Sequence, residues 1–168
     1  MALDATVGTD TANSYVTEAE AEVYMDDRSY ASAWSTFADK SKLLITSSSF
    51  IDGYLKFKGP KATSAQSMQW PRLGAIRPDG VYVDSTIIPR EVKIAVCEMA
   101  LSSLESDRTD EDPLAGISQL KVSSLSITAG PSKPNQTNRP VIPPKIHKIL
   151  SDLLSSQSGA FFLRIDRA

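Results

Sequence analysis

The sequence predicts a mainly α fold, a small helical bundle of about four helices with a β-hairpin and long loops. Two observations lead to this class. Apolar residues recur at three- and four-residue spacing in four stretches of the chain, which is the period of an amphipathic helix. Ten prolines and eight glycines lie mostly between those stretches, which indicates loops between the elements.

The N-terminal third of the chain is predicted to form two helices. The first runs over about residues 17–28, where Thr17 and Glu20 form a capping-box pattern that satisfies free backbone N–H groups at the helix start. The second begins near Ser35 or Thr36. Its apolar stripe consists of Leu44, Ser47, Ile51 and Leu55.

The other two predicted helices begin beside prolines. Pro89 stands in the first turn of the third helix, where its missing N–H has no partner to lose, and this helix runs to about Leu104. A fourth helix follows Pro143 and Pro144. The expected core faces carry Val92, Val96, Met99 and Ser103 in the third helix, and Ile146, Ile149, Leu150, Leu153 and Leu154 in the fourth.

The remaining segments are predicted to be extended or looped. Residues 81–83 read as one short strand, and apolar alternation that restarts across Ser123 and Ser124 predicts a hairpin over about residues 117–128. Five prolines make residues 130–144 a long loop. Residues 1–155 are therefore expected to form a single domain, followed by a C-terminal apolar tail at residues 156–168.

Composition limits the class of protein. Apolar residues make up 41% and charged residues 23%, the range of a soluble globular domain. No apolar run approaches the roughly 20 residues that a membrane helix needs, so no membrane partner is expected. The single cysteine, Cys97, excludes an internal disulfide framework and fits a reducing compartment.

Charge is segregated along the chain, although the formal net charge is only −2. Residues 1–27 hold seven acids and no base, whereas residues 53–78 and 113–151 each hold five bases and no acid. Two interpretations stay open. The blocks are solvated loop faces, or they orient neighbouring subunits in a ring or stack, because like charges oppose wrong pairings.

No enzymatic activity is expected, and no catalytic, cofactor-binding or metal-binding residue is predicted. The lone His147 lies on the helix face opposite Ile149, without a Gly-x-Ser-x-Gly elbow anywhere in the chain. Cys97 sits in mid-helix and is predicted to be a small buried apolar side chain. Glycines are isolated, so no glycine-rich phosphate loop is present.

One stretch, residues 56–77, combines bases with aromatic residues, as proteins that stack single-stranded bases over a charged groove do. Its candidate DNA contacts are Lys56, Lys58, Lys61, Trp70 and Arg72. The competing interpretation is that Trp70 is a core plug stiffened by Pro71, because large aromatic side chains are mostly well buried. The second interpretation is favoured. A nucleic-acid binder also usually carries a clear basic excess, which this chain lacks.

A series of motifs in one order makes the chain resemble a known family. The motifs are Asn13–Val16 before an acidic helix, Trp34 before Lys42–Leu44, Ile51–Asp52 with Tyr54, Gln69–Arg72, Ile88–Lys93 and Cys97–Leu101. Over about residues 10–155 the chain resembles the head-to-tail connector (adaptor) proteins of tailed bacteriophages, including those named DnaT-like single-stranded-DNA-binding.

The resemblance implies a structural protein of the phage virion, located at the head–tail junction and assembled in the host cytoplasm. Such subunits form a ring, commonly of twelve, below the portal. The ring extends the DNA channel, contacts the portal protein and the tail or nozzle proteins, and lets double-stranded DNA pass without sequence recognition. The resemblance implies no enzymatic activity.

The apolar tail is the interface that we predict for the portal or a neighbouring subunit. Its residues are Phe161, Phe162, Leu163, Arg164 and Ile165. Burying each of its four large apolar side chains should stabilise an assembly by about 1.5–3 kcal/mol. The alternative function is a single-stranded-DNA-binding module that uses the basic and aromatic stretch 56–77.

Overall fold

A computed structural model describes residues 2–104, 119–122, 125–128 and 141–155 of the chain. Within these ranges the helices are α1 (Glu18–Asp26), α2 (Ser32–Thr36), α3 (Lys40–Tyr54), α4 (Arg90–Leu104) and α5 (Pro144–Leu150). Strands β1 (Gln119–Val122) and β2 (Leu125–Thr128) pair antiparallel, with Gln119 opposite Thr128. The predicted tail 156–168 and most of the predicted loop 130–144 lie outside the described residues.

The predicted bundle of about four helices is wrong, because the described ranges contain five helices. The helix predicted to begin near Ser35 is in fact two helices. α2 ends at Thr36, Phe37 takes an extended backbone conformation (φ −80°, ψ 126°), and α3 begins only at Lys40. The extended residue breaks the backbone hydrogen-bond ladder between α2 and α3. The mainly α class itself agrees with the structure.

Helix α4 is the centre of the fold. It packs against α1, α2, α3 and α5. Eight of its fifteen residues are buried, namely Val92, Ala95, Val96, Cys97, Glu98, Met99, Ala100 and Ser102. Three members of the predicted line, Val92, Val96 and Met99, are confirmed as core, whereas the fourth, Ser103, is only half-buried.

The predicted starts of α1 and α5 are confirmed, and both helices end early. Thr17 accepts from the backbone N–H of Glu20, while the Glu20 carboxylate accepts from the backbone N–H of Thr17, as the capping box requires. α1 ends at Asp26. α5 begins at Pro144 and ends at Leu150, so Leu153 reaches the core from the turn that follows the helix.

Irregular chain connects the helices. An extended segment after α3 pairs with the residues after α5: Phe57 forms an antiparallel bridge with Leu154, and the Lys58 N–H donates to the Leu153 carbonyl (2.9 Å). The predicted strand at residues 81–83 is reduced to one bridge between Ile76 and Tyr82. Within the described ranges, no helix is long and apolar enough to cross a membrane.

Candidate nucleic-acid interface

Trp70 lies in the core, which confirms its interpretation as a plug. Only 1% of the residue is exposed, and its ring meets Phe57 in a T-shaped arrangement with centroids 5.5 Å apart. The N-terminal segment helps to cover it, since the Ser67 N–H donates to the Thr9 carbonyl (3.0 Å). Because neither ring face reaches solvent, Trp70 offers no platform on which a base can stack.

A buried polar cluster fixes the loop that carries Trp70. The Tyr15 hydroxyl donates to the Asp52 carboxylate and accepts from the backbone N–H groups of Gln69 (3.1 Å) and Trp70 (3.2 Å). Asp52 also accepts from the Gln69 N–H (3.0 Å). Burial raises the pKa of both Tyr15 and Asp52. These groups satisfy one another's hydrogen bonds, so the cluster positions the loop.

Arg72 is also buried, at 8% exposure. Its Nε donates to the Lys58 carbonyl (2.9 Å), one Nη donates to the side-chain oxygen of Gln69 (2.8 Å), and the other donates to the Gly59 carbonyl. Burial lowers the pKa of Arg72, although an arginine stays protonated in proteins. Arg72 therefore ties two loop segments together and adds positive charge beneath the surface instead of contacting a ligand.

The lysines of this stretch lie nearer the surface. Lys58 is half-buried and its Nζ donates to the Asp152 carbonyl (2.8 Å). Lys61 is also half-buried, and its Nζ donates to the carbonyls of Gln66 (3.3 Å) and Ser67 (3.1 Å). Lys56 is exposed. The structure thus brings all three lysines to one region of the fold, around the extended segment that follows α3.

Three of these cations bind neutral oxygens, whereas six cations elsewhere in the described residues form ion pairs with carboxylates. Lys58, Lys61 and Arg72 bond carbonyl or amide oxygens, and none forms an ion pair within the described part of the chain. Asp52 offsets them only in part. Elsewhere, carboxylates neutralise cations in the pairs Arg28–Glu98, Lys40–Glu22, Lys42–Asp39, Arg77–Glu91, Lys93–Glu20 and Lys145–Glu98. Positive potential therefore concentrates around residues 56–72.

Tyr54 is the exposed aromatic residue beside these lysines. It ends α3, is 57% exposed, and meets Phe50 in a T-shaped contact with ring centroids 6.1 Å apart. From Leu55 to Lys58, buried residues alternate with exposed Lys56 and half-buried Lys58, which places both lysines on the outer side of the extended chain. We call Tyr54, Lys56, Lys58 and Lys61 together the lysine–tyrosine surface.

Tyr54 was not predicted as a site residue, because it lies at helical spacing from Ser47 and Ile51 and so matches the core-facing stripe of its helix. The signal that would have found it is the change of period at Leu55. Buried Leu55 and Phe57 alternate with exposed Lys56, as in a strand. The helix therefore ends at the preceding residue, Tyr54, where its side chain is exposed.

Cys97 and His147, the other two residues considered for chemistry, lie in helices α4 and α5. Cys97 is buried, as predicted, and burial raises the pKa of its thiol to about 12. His147 is half-buried in α5. In the ranges that the structure describes, no three histidine, cysteine, aspartate or glutamate side chains are grouped closely enough to hold a metal ion.

The fold and this surface define a class of protein: a small, mainly α domain whose buried polar clusters brace loops and whose lysines gather in one region around the segment that follows α3. The chain belongs to the DnaT-like ssDNA-binding protein family, which it matches over residues 1–168. No curated protein and no solved structure matches the chain.

Proposed function

We propose that the protein binds single-stranded DNA through the lysine–tyrosine surface. The observation that best supports this is the bonding of Lys58 and Lys61 to neutral carbonyls, which leaves their charge available to attract phosphates. Exposed Tyr54 supplies an aromatic face for a base. Membership of the DnaT-like ssDNA-binding family supports the same function.

This proposal changes the roles of the residues in the stretch 56–77. Lys56, Lys58 and Lys61 keep their expected role as phosphate contacts, and Tyr54 replaces Trp70 as the stacking residue. Arg72 positions the segment from beneath. Lysine is a flexible point charge, and stacking on tyrosine accepts any base, so we expect binding with little sequence preference.

Replacing two surface lysines, Lys56→Ala with Lys58→Ala, is expected to weaken binding to an oligothymidylate of about 16 nucleotides roughly tenfold at low salt. The slope of log affinity against log salt should become shallower by about 1.4, because each lost phosphate contact removes about 0.7 on a single strand. Fluorescence anisotropy of a labelled oligonucleotide across a salt series measures both quantities.

The matched control is Lys42→Ala with Arg90→Ala, which removes the same charge from exposed positions elsewhere. This control should keep the salt slope of the unmodified protein. Tyr54→Ala should weaken binding while leaving the slope unchanged, because stacking releases no counterions. An unmodified protein that fails to bind at low salt, or equal losses in the two double variants, would exclude this surface as the DNA site.

A second candidate function, the head-to-tail adaptor ring of a tailed phage, is supported by one exposed loop. Residues 76–87 present four large apolar side chains that are 39–68% exposed, namely Ile76, Val81, Tyr82 and Ile87. Exposed apolar groups concentrated in one place are typical of protein–protein contacts. In this proposal the loop contacts the neighbouring subunit of the ring, and the ring joins portal to tail.

The adaptor proposal predicts that the purified protein forms a ring when it is mixed with portal protein. Tyr82→Ser should abolish ring formation, because it removes the most exposed of the four apolar groups, while circular dichroism remains unchanged. Light scattering after size-exclusion chromatography gives the mass in each mixture. A monomer in every mixture, or rings that form equally well in the variant, would contradict this assignment.

A further inference from the structure

A groove lies between α3 and the C-terminal end of α4, away from the Trp70 loop. It has a volume of about 320 Å³, in the range of cavities that hold a small ligand or a few side chains. Its apolar lining comes from Phe37, Leu43 and Phe50, and Ser103 closes it on the α4 side. We propose that this groove, the α3 groove, binds the C-terminal apolar segment of the same chain, Phe161–Ile165.

The apolar side chains that line the groove are only partly covered by the rest of the protein. Phe37 is 37% exposed even though it interrupts two helices, and Leu43 and Phe50 pack on the core with one side only. Covering these side chains would remove apolar area from water, which is favourable by about 25 cal/mol for each Å². Covering the three apolar side chains of the lining with an apolar occupant would therefore be favourable.

The end of the described chain lies within reach of the groove. The Ser155 N–H donates to the carbonyl of Lys56 (2.9 Å), two residues beyond the end of α3. Phe50 lies four residues earlier than Tyr54 in that helix, a rise of about 6 Å. The six residues from Ser155 to Phe161 span up to roughly 20 Å when extended. The apolar segment can thus reach the groove without leaving its own chain.

The chemistry of the segment fits the groove and its rim. Phe161, Phe162, Leu163 and Ile165 supply the apolar groups. The rim carries an ion pair, Asp39 with Lys42 (3.0 Å), and the segment brings charges of both signs in Arg164 and Asp166. Each rim charge therefore has an opposite charge available in the segment.

A competing occupant begins nearby, since residues 105–118 follow Leu104 directly. That stretch contains Glu105, Asp107, Asp110, Glu111 and Asp112. Moving such carboxylates onto an apolar lining would remove them from water without partners, at a high cost in free energy. The C-terminal segment has the composition that the groove requires.

Cysteine cross-linking in the full chain tests the proposal. Thr46 lines the groove, so the pair Thr46→Cys with Leu163→Cys should form a disulfide within one chain under mild oxidation. The control pair, Arg90→Cys with Leu163→Cys, uses an exposed position at the far end of α4, about 20 Å from Ser103 along the helix. The native Cys97 is buried and should not compete.

We expect the groove pair to form its intrachain disulfide at least about tenfold faster than the control pair, as measured by mass spectrometry and non-reducing gels. Equal rates would overturn the proposal. Disulfides that form mainly between chains would assign the groove to the tail of a second copy. A chain ending at Ser155 should bind more of an apolar fluorescent dye, and unchanged dye binding would show that residues 105–118 or nothing at all covers the groove.

Discussion

Trp70→Ala is expected to lower the free energy of unfolding by about 3–5 kcal/mol, the usual cost of removing a large aromatic side chain from a core. The indole is 1% exposed and packs against Phe57, and the N-terminal segment closes over its loop. The surrounding backbone is held by Tyr15 and Asp52, so it has little freedom to collapse into the cavity. Urea denaturation at neutral pH measures the change.

Two further variants test whether burial of the Trp70 side chain causes this loss of stability. Tyr82→Ala removes an aromatic side chain that is 68% exposed and should change stability by less than about 0.5 kcal/mol. Trp70→Phe should cost less than the lost area suggests, because the indole N–H has no hydrogen-bond partner within the described residues and its removal leaves no acceptor unpaired. A Trp70→Ala variant as stable as Tyr82→Ala would contradict the plug interpretation.

Glu98→Gln is expected to produce the second large effect, a loss of about 2–4 kcal/mol at neutral pH. The buried carboxylate of Glu98 accepts from the Tyr24 hydroxyl (2.7 Å), from Arg28 Nε (2.7 Å) and from the Lys145 ammonium. It thereby links α1 and Arg28, two residues beyond the end of α1, to α4 and α5. An amide cannot balance two cations, although both cations are partly exposed and can rehydrate.

The same cluster gives stability a defined pH dependence. Burial acts to raise the pKa of Glu98, but the hydrogen bonds from Arg28, Lys145 and Tyr24 outweigh it and lower the pKa from 4.5 to about 2. A carboxylate with a lowered pKa stabilises the fold above its unfolded pKa, and this contribution is lost as the pH falls from about 4.5 towards 2. The loss should reach up to about 3 kcal/mol.

Denaturation of the unmodified protein and of Glu98→Gln at pH 7 and near pH 2.5 separates this contribution from general acid unfolding. The difference between the two proteins should shrink as the pH falls, since the unmodified protein loses what the variant already lacks. Glu91→Gln is the matched control, because its ion pair with Arg77 is about one-third exposed on both sides and should contribute less than about 1 kcal/mol. A constant difference across the pH range would contradict the assignment to Glu98.

Local signals in the sequence predicted α1, α4 and α5 well. The capping box at Thr17, the proline before α4 and the prolines before α5 each act within a few residues, so a sequence pattern reveals them. The break between α2 and α3 carries no such signal. Neither glycine nor proline lies between Ser35 and Lys40, and Asp39, the N-cap residue of α3, makes no side-chain capping bond.

The candidate site was predictable in its charge and not in its aromatic residue. The absence of acids from residues 53–78 correctly marked the region where positive charge gathers. The N-terminal segment, about 60 positions away in the chain, folds over the loop of Trp70 and leaves Tyr54 uncovered. Such a distant contact cannot be read from a local sequence pattern. The Glu98 cluster was missed for a related reason, because Arg28 and Lys145 lie 70 and 47 residues from their shared partner.

The pairing of Ser155 with Lys56 has a consequence for synthesis of the protein. These residues are 99 positions apart, and Phe57 between Lys56 and Lys58 forms its bridge with Leu154. A ribosome delivers the lysines early and their backbone partners about 100 residues later, which is several seconds at ordinary elongation rates. During that interval the segment around Lys56 and Phe57 lacks its backbone partners, Leu154 and Ser155. We therefore expect a nascent chain to complete the lysine–tyrosine surface only after residue 155 has emerged from the exit tunnel.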